Sequence, residues 1–419
     1  MPGTVVQSGD YTLELDTGFN VNQFTLDNPT SGVLDSTVFV LEGTSQFADI
    51  TEYVTNITYK RGREKTDDQF GAGTMTFTMI DNTGILGPYD SSSPYYNAGS
   101  DEPGLAPMRQ IVLKREATTL FSGVVTGYDY EFALAGFNTV TVQCADDFYK
   151  LAQTQMDELN VVAETSGERI ETVLALPEVD YTTTTDIDTG TVDLGHDSPY
   201  TVSQGTNTLA YLQQINDAEQ GRLFVAADGT LTFQPRIGYT FNAPILEFSD
   251  DGVGTKYNNL TIVFDADEVV NRTYVKGLNG NDATDNDAAS IAKYFTQSRT
   301  ITNSLLHTQL QIDELADYLL VPEPLPRYTS LTTTFSRLTE AERDSASTID
   351  IGDTISIEKD IPGLQQPIAN ILAVEGISGN IDVATGHTIT FYTSSTVFLY
   401  ELILDDAVYG KLDSTNGLG

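Results

Sequence analysis

Several residue types are scarce in this sequence, and each shortage excludes a class of protein. Its 419 residues include one cysteine, Cys144, so no disulfide framework can form within the chain. We interpret Cys144 as a small buried side chain, because the run VTVQCADD around it alternates as a strand does. No apolar run approaches the roughly 18 residues of a membrane-spanning helix, and the N-terminus lacks a secretory signal. We therefore expect a protein without a membrane span that is assembled inside a cell.

Histidine is also scarce, and this argues against catalysis. The three histidines are His196, His307 and His387, and none lies beside a G-x-S-x-G nucleophile elbow, which is absent. Clustered histidine or cysteine ligands for a metal are lacking, as are the phosphate-binding loop and the dinucleotide fingerprint. Acidic pairs such as Asp146-Asp147 resemble the carboxylates of a glycosidase, but 60 acidic residues produce such pairs by chance. The sequence predicts no enzyme, no cofactor and no metal.

Positive charge is the third shortage. Lysine and arginine total 21 against 60 acidic residues, which gives a net charge of -39. Phosphate backbones are held by lysine and arginine, so the chain is a poor candidate for gripping nucleic acid, although acidic walls are compatible with its passage. Solubility or adaptation to high salt is the alternative explanation. The basic cluster at residues 60–65 is expected to pair with carboxylates, within the chain or on a neighbour.

Strand-forming residues, by contrast, are abundant, and the clearest pattern is at residues 48–84. Two alternating runs are joined by a polar bend that ends in Phe70-Gly71-Ala72-Gly73. Alternation of this kind predicts a long β-hairpin with one face in the core and one in water. Its inward residues are predicted to be Val54, Ile57, Tyr59, Met75, Phe77 and Met79.

The order of patterns along the chain predicts a mainly β fold with a smaller α+β part. Two tube-type β-barrel domains would flank a helix-containing unit. The predicted parts are an N-terminal arm with strands (1–47), a first barrel (48–150), an α+β middle domain (151–255), a second barrel with an inserted helix (256–400) and a C-terminal clip (401–419).

Apolar periodicity and capping residues predict the helices. They lie at 146–156, 167–176, 206–220 and 308–321, and a capping box at Thr339–Glu342 predicts one more. Gly221 is expected to end the third of them. Asp228-Gly229 predicts a tight hairpin turn. Residues 279–290 are rich in acids and amides, but they lack the residue order of a calcium-binding loop, so a solvated loop is predicted.

The two ends of the chain resemble each other. Residues 26–37 and 404–415 agree at seven of twelve positions without a gap. We expect both segments to form the same turn-plus-strand clip and to dock on equivalent surfaces.

The hairpin region resembles the N-terminal hub domain of minor tail proteins from long-tailed viruses of bacteria and archaea. The resemblance extends in order over residues 20–400 and includes the LFVAADGTLTF hairpin and the run at 351–355. The matching motif residues are Asp49-Ile50, Tyr53-Val54, Arg61-Gly62-Arg63, Phe70, Ala72-Gly73-Thr74 and Asp81-Asn82.

This resemblance implies a structural virion protein that forms the baseplate hub or tail tip. Such a protein would be a homotrimer whose two barrels per subunit make a pseudo-six-fold ring on the tail tube. It would lie at the distal end of the tail, be assembled in the host cytoplasm, and line the path of the ejected genome without binding DNA specifically. Its partners would be tail-tube, distal-tail and tape-measure proteins and other tip proteins or fibres. Many relatives continue into a lytic or receptor-binding domain, which is not expected here.

Three residues are predicted to make subunit contacts: Arg61, Arg63 and Phe70. The acidic partners of the two arginines are expected across a subunit boundary. The alternative function is a β-rich carbohydrate-binding or adhesin protein of the tail tip that contacts the host surface. Exposed aromatic residues clustered in the tyrosine-rich loop 89–96 would favour that alternative.

Overall fold

A computed structural model describes most of the chain. The described residues are 10–21, 46–65, 68–97, 100–134, 136–195, 200–236, 243–361, 363 and 367–395. The similar end segments 26–37 and 404–415, the predicted C-terminal clip and His196 lie outside them.

Strands dominate the two ends of the described chain, and helices alternate with short strands between them. The first block contains β1 (Tyr11–Asp16), β2 (Phe47–Asp49), β3 (Val54–Gly62), β4 (Thr74–Ile80), β5 (Tyr96–Asn97), β6 (Glu102–Pro103), β7 (Gln110–Arg115), β8 (Thr118–Glu131) and β9 (Thr139–Ala145). The middle region contains α1 (Asp147–Gln153), β10 (Gln155–Met156), β11 (Leu159–Val161), α2 (Ser166–Leu174), β12 (Thr185–Ile187), β13 (Tyr200–Val202), β14 (Thr206–Asn207), α3 (Thr208–Glu219), β15 (Arg222–Val225), β16 (Leu231–Gln234) and β17 (Glu247–Ser249). The second block contains β18 (Asn259–Val263), β19 (Arg272–Gly277), β20 (Asp282–Asn286), α4 (Ala288–Tyr294), β21 (Ser298–Ser304), α5 (Gln309–Tyr318), β22 (Arg327–Thr334), α6 (Glu340–Thr348), β23 (Thr354–Lys359), β24 (Ile368–Asp382) and β25 (Gly386–Ser395).

The predicted hairpin is confirmed. Strands β3 and β4 pair antiparallel, with Ile57 opposite Phe77 and Tyr59 opposite Met75. All six predicted inward residues are buried, because alternation places them on one side of the pleat. The mainly β fold class with a smaller α+β part is likewise confirmed.

A 13-stranded sheet joins the two blocks, and eight of its strands form a repeat. These eight lie in the order β18-β22-β25-β24-β3-β4-β9-β8, and every neighbouring pair is antiparallel. The first four strands and the last four have the same connectivity, because β18, β22, β25 and β24 correspond to β3, β4, β9 and β8 in chain order. The two long strands also share a bulge, since the pairing shifts between Val125 and Gly127 in β8 and between Val374 and Gly376 in β24. The two blocks therefore repeat one topology.

Two hydrophobic cores lie under this sheet and beside it. The first combines both blocks, with Phe77 and Phe121 from one and Phe391 from the other. The second combines the middle region with residues 275–319 of the second block, for example Leu212 with Ile312. The segment from β19 to α5 thus packs with the middle region although it is inserted into the second block. The predicted domain limits stay predictions.

Several local predictions are confirmed and two are wrong. Asp146 caps α1, and the capping box predicted at Thr339–Glu342 begins α6. Gly221 does not end α3: Gln220 takes the left-handed conformation there, with φ of 55°. The predicted solvated loop at 279–290 instead contains β20, which pairs with β19, and the start of α4, which Asp287 caps. The polar composition of this segment gave no apolar periodicity from which these elements could be predicted. In β20, for example, every second residue is exposed, because the strand lies at a sheet edge.

Replacing Gly379 by alanine is expected to lower the free energy of unfolding by about 1–3 kcal/mol. A Cβ atom at Gly379 would lie 2.2 Å from the ring of Tyr59, which is buried and whose hydroxyl lies 3.2 Å from Nε2 of His387. Urea unfolding measures the change. Gly71→Ala is the control, because no atom lies within 4 Å of that Cβ position, and equal effects of the two substitutions would contradict the prediction.

Candidate functional site

The side of the eight-strand sheet that faces away from the first core is lined by hydroxyl and amide side chains. We call it the threonine face and define it by two cross-strand rows. One row consists of Thr334, Thr388, Asn380, Thr58, Thr76 and Gln143. The other consists of Asn259, Thr332, Thr390, Ser378, Lys60 and Thr74. These side chains are half-buried or exposed, because they alternate with the core residues of the same strands.

Hydrogen bonds between neighbouring strands hold part of this face. The hydroxyl oxygens of Thr332 and Thr390 are 2.9 Å apart, and those of Thr334 and Thr388 are 3.3 Å apart. A shallow depression of about 350 Å³ lies between Thr58, Ser378 and their neighbours. In the two rows Lys60 is the one charged residue, and its ammonium group lies 2.7 Å from Glu64. The two rows contain no acidic residue, but Asp129 and Glu131 of β8 lie on the same side of the sheet, and Asp129 accepts a hydrogen bond from Gln143 at 3.0 Å.

Behind the face, a buried ionic junction ties three parts of the chain together. Glu375 of β24 accepts hydrogen bonds from Arg63 at 2.8 and 3.0 Å, from Arg222 at 2.8 Å and from the Ser394 hydroxyl at 2.7 Å. Burial alone would raise the pKa of the Glu375 carboxyl, but Arg222 and Arg63 outweigh burial and hold that pKa at about 2. The junction joins the first block, the middle region and the second block through fully formed charge pairs.

Arg61 makes a second tie beside the first. Its guanidinium donates to Asp350 at 2.6 Å and to the Leu120 carbonyl at 3.1 Å. The other Asp350 oxygen accepts from the Ala227 amide at 2.7 Å. The Asp350 carboxylate thus accepts one hydrogen bond from a side chain of the first block and one from the backbone of the hairpin β15–β16, and it fixes that hairpin against the first block.

Phe70 completes the contact with the middle region. The Arg63 guanidinium lies 4.5 Å from the centroid of its ring, and the ring centroid of Phe224 lies 5.9 Å away. The structure therefore brings Arg61, Arg63 and Phe70 together, and both arginines have carboxylate partners in their own chain. The predicted contact of these three residues with a neighbouring subunit stays a prediction.

Sequence reasoning missed the centre of the junction, Glu375 and Arg222. Glu375 interrupts the apolar run ILAVEGI in a long strand. A charge in such a run requires a buried partner of opposite sign, so the signal was present for Glu375. The identity of Arg222 as one of those partners had no signal in the sequence, because 153 residues separate the two.

The buried carboxyl of Asp146 predicts a pH dependence of stability. Its two oxygens accept from the Gly73 amide at 2.6 Å and from the Phe148 amide at 3.0 Å, while burial raises its pKa to about 7. A raised folded-state pKa gives stability that is present below the unfolded value of about 3.9 and is lost as the pH rises through the folded one.

Stability is therefore expected to fall between about pH 4 and pH 7 through this group. Chemical denaturation across that range measures how the free energy of unfolding changes with pH. The substitution Asp146→Asn is expected to flatten this pH dependence, even if it also changes stability by the same amount at every pH. The same slope in both proteins would contradict the assignment to Asp146.

The described residues offer no catalytic arrangement that involves the histidines. His387 is buried against Tyr11, Tyr59 and Phe335, and burial together with the nearby Arg115 lowers its pKa to about 3. His307 precedes α5, and its backbone amide donates to Gln311. In the described part of the chain no group of three or more His, Cys, Asp or Glu side chains is placed to hold a metal ion. Within the same residues no helix is long and apolar enough to cross a membrane.

The tyrosine-rich loop does not form an aromatic cluster on the surface. Tyr89 is 87% exposed, but Tyr95 is buried with its ring centroid 6.3 Å from that of Tyr53. The Tyr96 hydroxyl donates to Asp101 at 2.8 Å. Three tyrosines in three different environments do not make the flat aromatic platform that a sugar ring stacks on.

Solved structures show where else this fold occurs. The tail protein from Neisseria meningitidis MC58 superposes with a TM-score of 0.59 at 10% sequence identity, over 93% of this chain and 98% of that one. The 43 kDa tail protein of prophage MuSo2 from Shewanella oneidensis gives 0.57 at 11% identity, over 92% of this chain and 98% of that one. This chain shares their fold. No protein-family model and no curated protein matches the sequence.

Proposed function

We propose that the protein is a structural component of a viral tail that forms the hub or tip at the distal end of the tail tube. Its fold matches two tail proteins, one of them from a prophage, along more than nine-tenths of each chain. The observation that carries the proposal within this chain is the repeated eight-strand sheet with its threonine face. A sheet that repeats one four-strand unit twice suits a ring in which three copies present six equivalent units.

The parity of the strands supports a closed ring. From β18 to β8, both included, the sheet has eight strands, and each is antiparallel to the next. The first and the last of the eight therefore run in opposite directions. Rotation about an axis along the strands therefore brings β8 of one copy antiparallel to β18 of the next. A closed β-barrel removes the open edges that each copy would otherwise expose.

The threonine face would line the lumen of this ring. Hydroxyl and amide side chains offer water-like hydrogen bonding, and the one lysine of the two rows, Lys60, is paired with Glu64. So little positive charge would not grip phosphate, and DNA would pass without specific binding. The chain would connect the tail tube to distal-tail, tape-measure and tip proteins or fibres through its outer surfaces, and the rings would be assembled in the host cytoplasm.

Electron micrographs of the purified full-length protein, combined with a mass measurement in solution, test the proposal. We expect a three-fold particle with a central lumen and a mass of about three times the 45.6 kDa of one chain. A single chain at all concentrations, or a closed particle without a lumen, would overturn the hub. A six-fold ring would point instead to a distal-tail ring, and antibody labelling away from the tail would refute the virion location.

A further inference from the structure

Two strand edges in this sheet have no partner within the described chain. Strand β18 pairs with β22 on one side only and ends the sheet. Strand β8 pairs with β7 as far as Val124, but its last residues, 126–131, pair only with β9. Both edges present unpaired backbone groups, which natural proteins cover or pair.

Apolar side chains on the core side of both edges are unusually exposed. Phe132, just after β8, is 65% exposed. It ends a stack in which the ring centroids of Tyr128 and Tyr130 lie 6.2 Å apart and those of Tyr130 and Phe132 6.3 Å apart. On the other edge Ile262 is 38% and Phe264 67% exposed. Apolar side chains grouped along open strand edges indicate a protein contact.

The internal repeat supplies the geometry of that contact. Within the chain, β24 pairs with β3, and Asn380 lies opposite Thr58 and Gly379 opposite Tyr59. The repeat makes β8 the equivalent of β24 and β18 the equivalent of β3. The pairing between β24 and β3 is therefore a model of how β8 would pair with β18 of another copy.

The bulges fix the register of the equivalence. The row that starts at Gly127 in β8 crosses Gln143 and Thr76 to Thr58. The row that starts at Gly376 in β24 crosses Tyr392 and Ser330 to Thr261. Thr261 thus corresponds to Thr58, and Glu131, four residues after Gly127, corresponds to Asn380.

We propose that β8 of one copy pairs antiparallel with β18 of a second copy in the register that places Glu131 opposite Thr261. The same register places Tyr130 opposite Ile262, Phe132 opposite Leu260, and Tyr128 opposite Phe264. Each exposed apolar side chain then lies opposite a half-buried apolar or aromatic side chain of the other edge, while Glu131 and Thr261 continue the threonine face. The inference rests on the proposed ring and specifies the contact that closes it. The occupant is a second copy because the chain already contains this pairing between its own two blocks.

Cysteine pairs test this register in the full-length protein. In antiparallel strands, Cα atoms of opposed residues are about 4.5–5.5 Å apart, inside the range of about 4.4–6.8 Å that a disulfide requires. The variant Glu131→Cys with Thr261→Cys is expected to shift, on mild oxidation, from the single-chain band to bands of two and three chains that reductant reverses. The native Cys144 is buried and is present in every variant.

Two matched variants make the test decisive. Asn380→Cys with Thr58→Cys is the equivalent pair within one chain, and it is expected to form a disulfide without any change in chain number. In Glu131→Cys with Asn259→Cys, the second cysteine is displaced by two residues along β18. The two Cα atoms would then be roughly 7–8 Å apart, as in a diagonal pair, and this variant is expected to remain as single chains. Covalent multimers only from the displaced pair, or none from either pair while the internal pair forms, would overturn the register.

Micrographs of the same samples separate this inference from the proposed function. A three-fold ring without cross-links would refute the contact between β8 and β18 and leave the hub proposal intact. Cross-linked chains that form open filaments would support the contact and refute the closed ring. A different protein bound at the β18 edge, with single chains otherwise, would refute both.

Discussion

Replacing Glu375 by glutamine is expected to lower the free energy of unfolding by about 3–5 kcal/mol, the range found when one partner of a buried ion pair is removed. Glu375 is 2% exposed and is the shared partner of Arg63 and Arg222. Without its charge the guanidinium groups of Arg63 and Arg222 lose the carboxylate that they share, and the part of their desolvation cost that this charge offsets is no longer compensated.

Urea unfolding of the full-length protein measures this change. The control is Glu64→Gln, which removes an ion pair with Lys60 whose two side chains are about half exposed, and there a loss below about 1 kcal/mol is expected. A loss of that size for Glu375→Gln as well would show that the junction contributes no more than a surface pair.

The same substitution predicts a change in acid stability. The folded-state pKa of Glu375, about 2, lies below the unfolded value of about 4.3. A depressed carboxyl pKa gives stability that is present above the unfolded value and is lost as the pH falls through the folded one. The difference between the natural protein and the variant is therefore expected to be full near pH 5 and to shrink toward pH 2. A difference that stays constant over this interval would contradict the charge pairing.

Periodicity predicted the elements well where each strand has one wet and one dry side. In the hairpin β3–β4, Met75, Phe77 and Met79 alternate with threonines, so one run specifies both the core and the threonine face. The polar excursion at 279–290 shows the opposite case. At the sheet edge, β20 exposes alternate polar residues, and its pairing with β19 depends on backbone hydrogen bonds that composition does not reveal.

The candidate site was only half predictable for a related reason. Arg61, Arg63 and Phe70 belong to one local motif, so the sequence identifies them as a group. Asp350 and Glu375 lie 289 and 312 residues further along the chain from their arginines. The pairing of β24 with β3 brings Glu375 to Arg63, and backbone hydrogen bonds between β24 and residues 352–353 hold Asp350 nearby. Long-range pairing also decides that the two blocks share one sheet, which the order of patterns along the chain does not specify.

Replacing Phe264 by aspartate is expected to convert the assembled protein into single chains. In the proposed contact Phe264 lies opposite Tyr128 of the second copy, where an aspartate would place an unpaired charge among aromatic rings. Inward-pointing charges on edge strands are a known means of preventing strand pairing between chains. Phe264 is 67% exposed in the single chain, so the thermal stability of that chain is expected to change little.

Light scattering during size-exclusion chromatography measures the effect as a fall in mass from about three chains to the 45.6 kDa of one. The control is Phe295→Asp, since Phe295 follows α4 and is 83% exposed but belongs to neither β8 nor β18. That variant is expected to assemble normally.

A charge-reversal experiment tests the register of the contact. Thr261→Asp would oppose Glu131 of the second copy with a like charge and weaken assembly, and adding Glu131→Lys would turn the repulsion into an attractive pair. Loss of assembly in Phe295→Asp, or no recovery in the Thr261→Asp, Glu131→Lys variant, would argue that charge alone, and not the pairing of β8 with β18, controls the number of chains.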